Sequence, residues 1–281
     1  MRQRALLVTA CILLSPMALG EVNAPAPAAA AAPAPAPVIG VSDQPCRGVP
    51  TEQTAAHNAT ADPYQSWMHE WLSLDWGQLC RYQAENSHLP PASATRVVFM
   101  GDSITDGWKS LDPGLFGNDR LDRGISGQTT GQMLLRFRAD VLDLHPAVVH
   151  ILAGTNDIAG NTGFMSLGDI EANLQTMTEL ARVHKIRVVL SSVLPVNNYP
   201  ERSKLFFPLR SPGQIGELNR WIKDYCGRND CVYLDYFSAM TDNNGLLRID
   251  LSADGLHPNE KGYSIMAPLA RKAIDQALAA H

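Results

Sequence analysis

The sequence predicts a three-layer α/β/α sandwich around a five-stranded parallel sheet, with a short helical extension before it. From Arg96 onward, strand-like apolar runs alternate with amphipathic helical runs, which is the pattern of repeated βα units. The strand-like runs, such as Val188-Val189-Leu190, are apolar almost throughout. Such runs are typical of a parallel sheet that is covered on both faces.

The elements of this sandwich can be placed in chain order. We predict strands over 96–100, 119–123, 147–153, 186–192 and 231–235, and helices near 129–142, 169–183 and 215–226. A last helix begins at Asn259 and carries one apolar face, from Met266 to Ala277. In the extension, Asp62-Pro63 predicts a helix start, and a second short helix is predicted over 75–82.

The N-terminal region has the features of an export signal followed by a linker. Arg2 and Arg4 precede a short apolar core, and small residues precede a predicted cleavage before Glu21. Cleavage after Ala24 and a lipoprotein signal at Cys11 are the alternatives. We therefore predict a signal peptide over 1–20, an Ala/Pro-rich linker over 21–44, a helical extension over 45–94 and the main α/β domain over 95–281. The mature protein would be periplasmic or secreted.

Composition limits the partners. The chain has 281 residues, 45% of them apolar, and a formal net charge of −5. No cluster of Lys and Arg interleaves with aromatic residues, which argues against nucleic acid as a partner. No stretch reaches the roughly 20 apolar residues that span a bilayer. A small-molecule or glycan substrate is therefore the partner we expect.

Removal of the signal peptide leaves four cysteines, and an even number in an exported chain predicts two disulfides. We favour the local pairs, Cys226 with Cys231 and Cys46 with Cys80. A crossed pairing, which would tie the extension directly to the main α/β domain, remains the alternative. Zinc is a weaker alternative, because neither a Cys-x-x-Cys pair nor paired histidines support a metal site.

The segment Val98-Phe99-Met100-Gly101-Asp102-Ser103 contains the candidate nucleophile. A predicted strand breaks at Gly101 and presents Ser103, at the edge of the sheet where open α/β proteins bind their ligands. A serine needs an adjacent base to become a nucleophile. Taken alone, Ser103 could equally be the cap of the following helix.

Three later segments favour the nucleophile. They are Gly124-Ile125-Ser126-Gly127, Gly154-Thr155-Asn156-Asp157 and Asp254-Gly255-Leu256-His257. With Ser103, Gly127, Asn156 and the Asp254-x-x-His257 pair in this order, residues 95–281 resemble the SGNH hydrolase superfamily, also called the GDSL family of serine esterases and lipases. The resemblance is to its secreted bacterial acylhydrolases, and it implies a flavodoxin-like α/β/α fold.

The resemblance also implies a role for each matching residue. Ser103 would be the nucleophile, His257 its base, and Asp254 the carboxylate that orients the imidazole. The oxyanion hole would consist of the backbone N–H groups of Ser103 and Gly127 and the side-chain amide of Asn156. Neither a cofactor nor a metal is implied.

Other readings of these residues remain open at the sequence level. Asp254 could be a simple Asx-turn residue, and Asn156 could tolerate a left-handed backbone. We interpret Asp102 and Asp157 as structural, and His150, in mid-strand, as a core histidine. Other residues are weaker candidates for the nucleophile and the base. Ser126 lacks the G-x-S-x-G context of a nucleophile elbow, and His145 and His184 flank strands, where we expect them to be surface residues.

The predicted activity is hydrolysis of short acyl esters, acetyl first, with carbohydrate esters among the candidate substrates. The loops after the strands are mostly polar, with Trp108, Leu115-Phe116 and 205–207 as candidate walls of a small pocket. Residues 197–199 could contact a sugar. One alternative is a lysophospholipase or thioesterase for longer acyl chains. Another is a non-catalytic carbohydrate-binding protein that uses Trp67, Trp71 and Trp76; we favour docking of these tryptophans onto the domain instead.

Overall fold

The computed structural model describes residue 46 and residues 74–117 and 119–280. The predicted signal peptide, the linker and the helix that would start at Asp62, with Trp67 and Trp71, lie outside the described residues. The domain boundaries at 20, 44 and 94 therefore stay predictions.

A five-stranded parallel sheet forms the middle layer. Its strands are β1 (Val97–Gly101), β2 (Arg120–Gly124), β3 (Val148–Leu152), β4 (Arg187–Ser191) and β5 (Val232–Leu234), arranged in the order β2-β1-β3-β4-β5. All four pairings are parallel, and β1 lies between β2 and β3. The chain order reverses at this point, so the loops after β1 and β3 leave the sheet on either side of a crevice.

Helices cover both faces of the sheet. The described residues form α1 (Gln83–Ser87), α2 (Ser103–Asp106), α3 (Trp108–Leu111), α4 (Thr130–Asp140), α5 (Thr155–Ile158), α6 (Leu167–Val183), α7 (Pro212–Arg228), α8 (Phe237–Met240) and α9 (Glu260–Ala279). Alternate strand residues such as Val98 and Met100 pack with α4, α6 and α7. Their neighbours Val97 and Phe99 pack with α3, α8 and α9 on the opposite face. The predicted three-layer sandwich is confirmed.

Local capping explains why two helices begin earlier than predicted. Ser166 and Asp169 form a reciprocal capping box, so α6 starts at Leu167 rather than at 169. Ser211 caps α7, whose first residue is Pro212 rather than a residue near 215. The one-turn helices α2, α3, α5 and α8 were not predicted, because four residues show no apolar periodicity.

The predicted helix over 75–82 is wrong. The Asp75 carboxylate accepts hydrogen bonds from the N–H groups of Leu79 (2.9 Å) and Cys80 (2.8 Å), and Gln78 has a left-handed backbone (φ 56°). These features fold the segment into successive turns, and helix α1 follows only at Gln83. The segment docks onto the domain: the Tyr82 hydroxyl donates to the carbonyl of Gly124 at the end of β2.

Two disulfides join the local cysteine pairs. Cys46 is bonded to Cys80, and Cys226, near the end of α7, is bonded to Cys231 just before β5. The first ties residue 46 to the docked turns. No helix among the described residues is both long and apolar enough to cross a membrane.

Candidate active site

Ser103 is the first residue of α2, directly after β1. The Asp102 side chain caps this helix by accepting a hydrogen bond from the Ile104 N–H at 2.9 Å. Gly124, at the end of β2, makes room for the turn: a Cβ there would lie 2.1 Å from the Asp106 nitrogen. The helix start leaves the Ser103 N–H without an intrahelical partner. Ser103 thus presents both its hydroxyl and its N–H at the carboxyl edge of the sheet.

His257 approaches Ser103 from the loop before α9. Its Nε2 lies 3.0 Å from the Ser103 Oγ, and its Nδ1 lies 2.8 Å from the Asp254 Oδ2. Both distances are those of hydrogen bonds. The three side chains therefore form a continuous chain of contacts from hydroxyl to imidazole to carboxylate.

The Asp254 carboxylate uses its two oxygens differently. Oδ1 accepts the backbone N–H groups of Leu256 (3.0 Å) and His257 (2.8 Å), and Oδ2 meets the imidazole. Partial burial raises the pKa of Asp254, but these hydrogen bonds outweigh burial and hold the pKa well below its usual value. Asp254 is therefore both the Asx-turn residue and a carboxylate that stays ionised beside His257.

The second and third turns carry Gly127 and Asn156. Gly127 has a left-handed backbone (φ 82°), which glycine adopts without strain. Asn156 lies in α5, and the left-handed residue of its turn is Gly154 (φ 121°), so the left-handed explanation of Asn156 is wrong. The Asn156 Nδ2 donates one hydrogen bond to the carbonyl of Gln128 at 3.0 Å. An amide nitrogen carries two hydrogens, so one remains for a ligand.

Several neighbouring polar residues have structural contacts. Asp157 accepts hydrogen bonds from the N–H and hydroxyl of Thr130 and so joins the second turn to the third. The Ser126 hydroxyl donates to Asp106 at 2.6 Å. Burial raises the pKa of Asp102 to about 6 and also raises that of Asp157.

His150 lies in the sheet, away from the loops. It is fully buried, and its Nε2 lies 3.0 Å from the Tyr236 hydroxyl, while its Nδ1 has no protein partner among the described residues. Burial lowers its pKa to about 3, so the ring is neutral at physiological pH. The exposed His145 and His184 likewise lie outside the site.

Two expected pocket walls and one expected sugar contact are wrong. Trp108 and Leu115 are fully buried in the core between the sheet and α9. Asn197 is also buried: its Nδ2 donates to the Leu247 carbonyl, and its Oδ1 accepts the Tyr199 N–H. The apolar residue beside the site is Phe206, whose ring meets the His257 ring edge-on at 5.5 Å.

Three further residues around the site were not identifiable from any pattern in the sequence. Arg210 is buried and donates to the Asn156 Oδ1 at 2.9 Å. Asn161 donates to the carbonyl of Gly127 at 3.0 Å. The Gln128 side chain bridges the docked N-terminal turns and Arg136. Apart from the contact of Gln128 with Arg136, these contacts join positions 34 to 54 residues apart.

Residues 99–265 match the model of the GDSL-like lipase/acylhydrolase family. The chain belongs to this family. It is therefore a member of a family of carboxylic ester hydrolases, and the resemblance drawn from its four motifs is confirmed. The match includes the turns of Ser103, Gly127 and Asn156 and the Asp254–His257 loop.

Three individual proteins illustrate what the chain is similar to. The structure of a GDSL-like lipase from Bacteroides thetaiotaomicron is 40% identical, with a TM-score of 0.67, over 72% of this chain and 99% of that one. A Bacillus subtilis protein named uncharacterized lipoprotein YqeF is 37% identical over 38% of this chain. The chain spans about half the length of the curated relatives that it matches, 47% in that case. An acetylxylan esterase from Geobacillus stearothermophilus shares the fold at 20% identity (TM-score 0.53, 65% of this chain, 95% of that one).

Proposed function

We propose that this protein is an exported serine esterase that removes short acyl groups, acetyl first, through an acyl-enzyme on Ser103. The observation that carries the proposal is the contact of the Ser103 Oγ with the His257 Nε2 at 3.0 Å, with Asp254 on the other side of the ring. A serine in this contact has the base that it needs to act as a nucleophile.

In the first step, the Ser103 Oγ attacks the acyl carbon and its proton passes to the His257 Nε2. Asp254 stabilises the imidazolium that forms. The negative charge that develops on the carbonyl oxygen is stabilised by hydrogen bonds from the N–H groups of Ser103 and Gly127 and from the second N–H of the Asn156 side chain. His257 then gives the proton to the alcohol oxygen as the C–O bond breaks, which leaves the acyl group on Ser103.

In the second step, water attacks the acyl-enzyme. His257 takes a proton from this water as the new C–O bond forms. Collapse of the intermediate breaks the bond to Ser103, and His257 returns the proton to the Oγ. The products are a carboxylic acid, an alcohol and the free enzyme, so the cycle needs neither a metal nor a cofactor.

Polar groups around the three turns support the proposed preference for short acyl groups. Thr129 and Thr162 lie 3.1 Å apart through their hydroxyls, and exposed Asn161 bonds the carbonyl of Gly127. Phe206 is the aromatic wall beside His257. The carbohydrate part of the proposal is supported by the shared fold of the acetylxylan esterase.

Exposed apolar side chains in the neighbouring loops favour the alternative, an esterase for longer acyl chains. Phe164 is fully exposed, three residues after Asn161, and Leu205 is 67% exposed beside Phe206. Export is supported by the two disulfides and by the lipoprotein name of the Bacillus subtilis relative.

The test compares acetate, butyrate, octanoate and palmitate esters of one chromogenic alcohol, followed by acetylated glycans. We expect kcat/KM to be highest for acetate. A maximum at octanoate or beyond would favour the long-chain alternative, and absence of turnover on every ester would favour a carbohydrate-binding protein.

Two variants test the assigned roles. Ser103→Ala should lower kcat by a factor on the order of 10⁶, and Asn156→Ala by about 10²–10³ with little change in KM. Ser126→Ala is the matched control, because Ser126 lies on the adjacent turn and contacts Asp106 rather than His257. If Ser103→Ala keeps more than about one per cent of the activity, the nucleophile assignment is wrong.

A further inference from the structure

Arg210 lies directly behind Asn156. It follows the 3₁₀-helix Phe207–Leu209 and is only 4% exposed. Its three nitrogens donate to three separate oxygens: Nη2 to the Asn156 Oδ1 (2.9 Å), Nε to the Thr155 hydroxyl (3.1 Å) and Nη1 to the Phe206 carbonyl (3.2 Å). Arg210 thus connects the loop after β4 to the turn after β3.

The partners of Arg210 distinguish it from the other buried arginines of the described chain. Arg96, Arg123 and Arg136 each contact a carboxylate, at 2.6, 3.0 and 3.1 Å respectively. All three hydrogen bonds of Arg210 go to uncharged oxygens. Burying a charge without a direct ion pair costs stability, so a purely structural role would be better served by an apolar side chain.

We propose that Arg210 is a positioning residue that orients and polarises the Asn156 amide for the oxyanion. This inference rests on the proposed function. Two hydrogen bonds fix the amide: Nδ2 faces the Gln128 carbonyl and Oδ1 faces Arg210. A rotation of the amide by 180° would set its oxygen against the Gln128 carbonyl and its nitrogen against the guanidinium, so only one orientation satisfies both neighbours.

The positive charge adds a second effect. A charged donor on the Oδ1 draws electron density from the amide, which makes the Nδ2 hydrogens more positive and strengthens the bond to an oxyanion. Burial lowers the pKa of Arg210, while the nearby carboxylates of Asp102 and Asp254 act in the opposite direction. An arginine stays protonated under these conditions.

Arg210 also supports the side of the site that faces His257. Its guanidinium carbon lies 5.7 Å from the centre of the Phe206 ring, and that ring packs edge-on against His257. One side chain therefore contacts both Asn156, the proposed oxyanion donor, and Phe206, the wall next to His257. A double-mutant cycle of Arg210 and Asn156 separates the effect that Arg210 has through Asn156 from the effect that it has through Phe206.

The experiment measures kcat and KM for the wild type, Arg210→Met, Asn156→Ala and the double variant. We expect Arg210→Met to lower kcat on the order of 10- to 100-fold, less than loss of the donor itself, with KM nearly unchanged. In the Asn156→Ala background the same change should cost less than about threefold, because the group through which Arg210 acts is gone. Arg210→Lys keeps the charge but cannot make the three bonds, so it should recover only part of the loss.

Arg96→Met is the matched control, since it removes a buried arginine that contacts Asp119 and the carbonyls of Leu144 and Pro90. It should lower thermal stability and leave kcat within about twofold. An equal loss from Arg210→Met in both backgrounds, or a change in KM alone, would overturn the positioning role. If the methionine variant does not fold, Arg210→Lys in the same cycle gives the same decision. Activity that survives Ser103→Ala would instead refute the proposed function, and the role of Arg210 with it.

Discussion

At the scale of single residues, Asp254 combines two roles that the sequence could only present as alternatives. One oxygen organises the turn by accepting two N–H groups, and the other holds the imidazole. An aspartate three positions before a histidine can do both, because the turn that its Oδ1 closes carries the ring back over its Oδ2. The two roles are separable by a substitution that keeps one oxygen.

Asp254→Asn should keep the turn and lose most of the activity. The amide oxygen can still accept the N–H groups of Leu256 and His257, but an amide nitrogen facing Nδ1 favours the wrong tautomer of His257. By comparison with other triads, we expect kcat to fall about 10⁴-fold. The measurement is kcat together with the thermal midpoint of unfolding.

Asp235→Asn is the control for this change, because Asp235 caps the turn after β5 through the Ser238 N–H and lies in a different loop. It should leave kcat unchanged. Retention of more than a tenth of the activity by Asp254→Asn would contradict the orienting role.

At the scale of elements, the docked N-terminal turns support the turn that carries Gly127. The Gln128 side chain donates to the carbonyl of Gly77 (3.1 Å) and to the Gln78 Oε1 (3.0 Å), and it accepts from the Arg136 Nε (2.6 Å). Arg136 in turn donates to the carbonyl of Gly101, just before Asp102. The turns at Gly77 and Gln78 are thus part of the scaffold that holds Gly127 near Ser103. The Trp76 side chain beside them is 44% exposed, and docking of Trp67 and Trp71 stays a prediction.

The two disulfides should differ in their contributions to stability. Cys46–Cys80 closes a loop of 34 residues and Cys226–Cys231 a loop of 5. In the chain-entropy description, replacing both cysteines by serine should lower the free energy of unfolding by about 4 kcal/mol for the first pair and about 2 kcal/mol for the second. Urea denaturation of the two double variants measures both values. Equal losses, or a larger loss from the short loop, would contradict the prediction.

At the scale of the whole molecule, the strand order creates the site. Because β1 lies between β2 and β3, the turns after these three strands meet at one edge of the sheet. The loop before α9 lies against the same edge and places His257 beside Ser103. The interior under this edge contains buried titratable groups. Burial raises the pKa of Asp102 to about 6 and that of Asp122 to about 7, and it lowers the pKa of His150 to about 3.

His150 should make the protein less stable in acid. Its pKa is lower in the folded protein than the ordinary value of 6.5, so its stabilising neutral state is fully present above pH 6.5 and is lost as the pH falls toward 3. Between pH 7 and pH 5 this amounts to about 2 kcal/mol. Asp102 and Asp122 act in the opposite direction. Because their pKa values are raised in the folded protein, they stabilise the fold at low pH, and this stabilisation is lost as the pH rises through 6 and 7.

A matched variant separates these effects. As the pH falls from 7 to 5, the free energy of unfolding of the wild type should decrease relative to that of His150→Phe. The two aspartates are present in both proteins, so their effects cancel in this comparison. Chemical denaturation at several pH values measures this difference. A difference that does not change with pH would show that His150 does not titrate on unfolding.

The sequence alone determined the fold class, the five strands to within one or two residues, the family and the residues proposed for catalysis. It could do so because strands and long helices follow from apolar periodicity, and because each motif is a short local pattern at the end of a strand. The tertiary structure alone decided what supports those motifs. Arg210 contacts Asn156 across 54 positions, and Gln128 contacts Gly77 across 51, through hydrogen bonds between segments that share no pattern. Such contacts depend on the packing of β1 between β2 and β3 and on the return of the loops, and no local run of residues encodes that geometry.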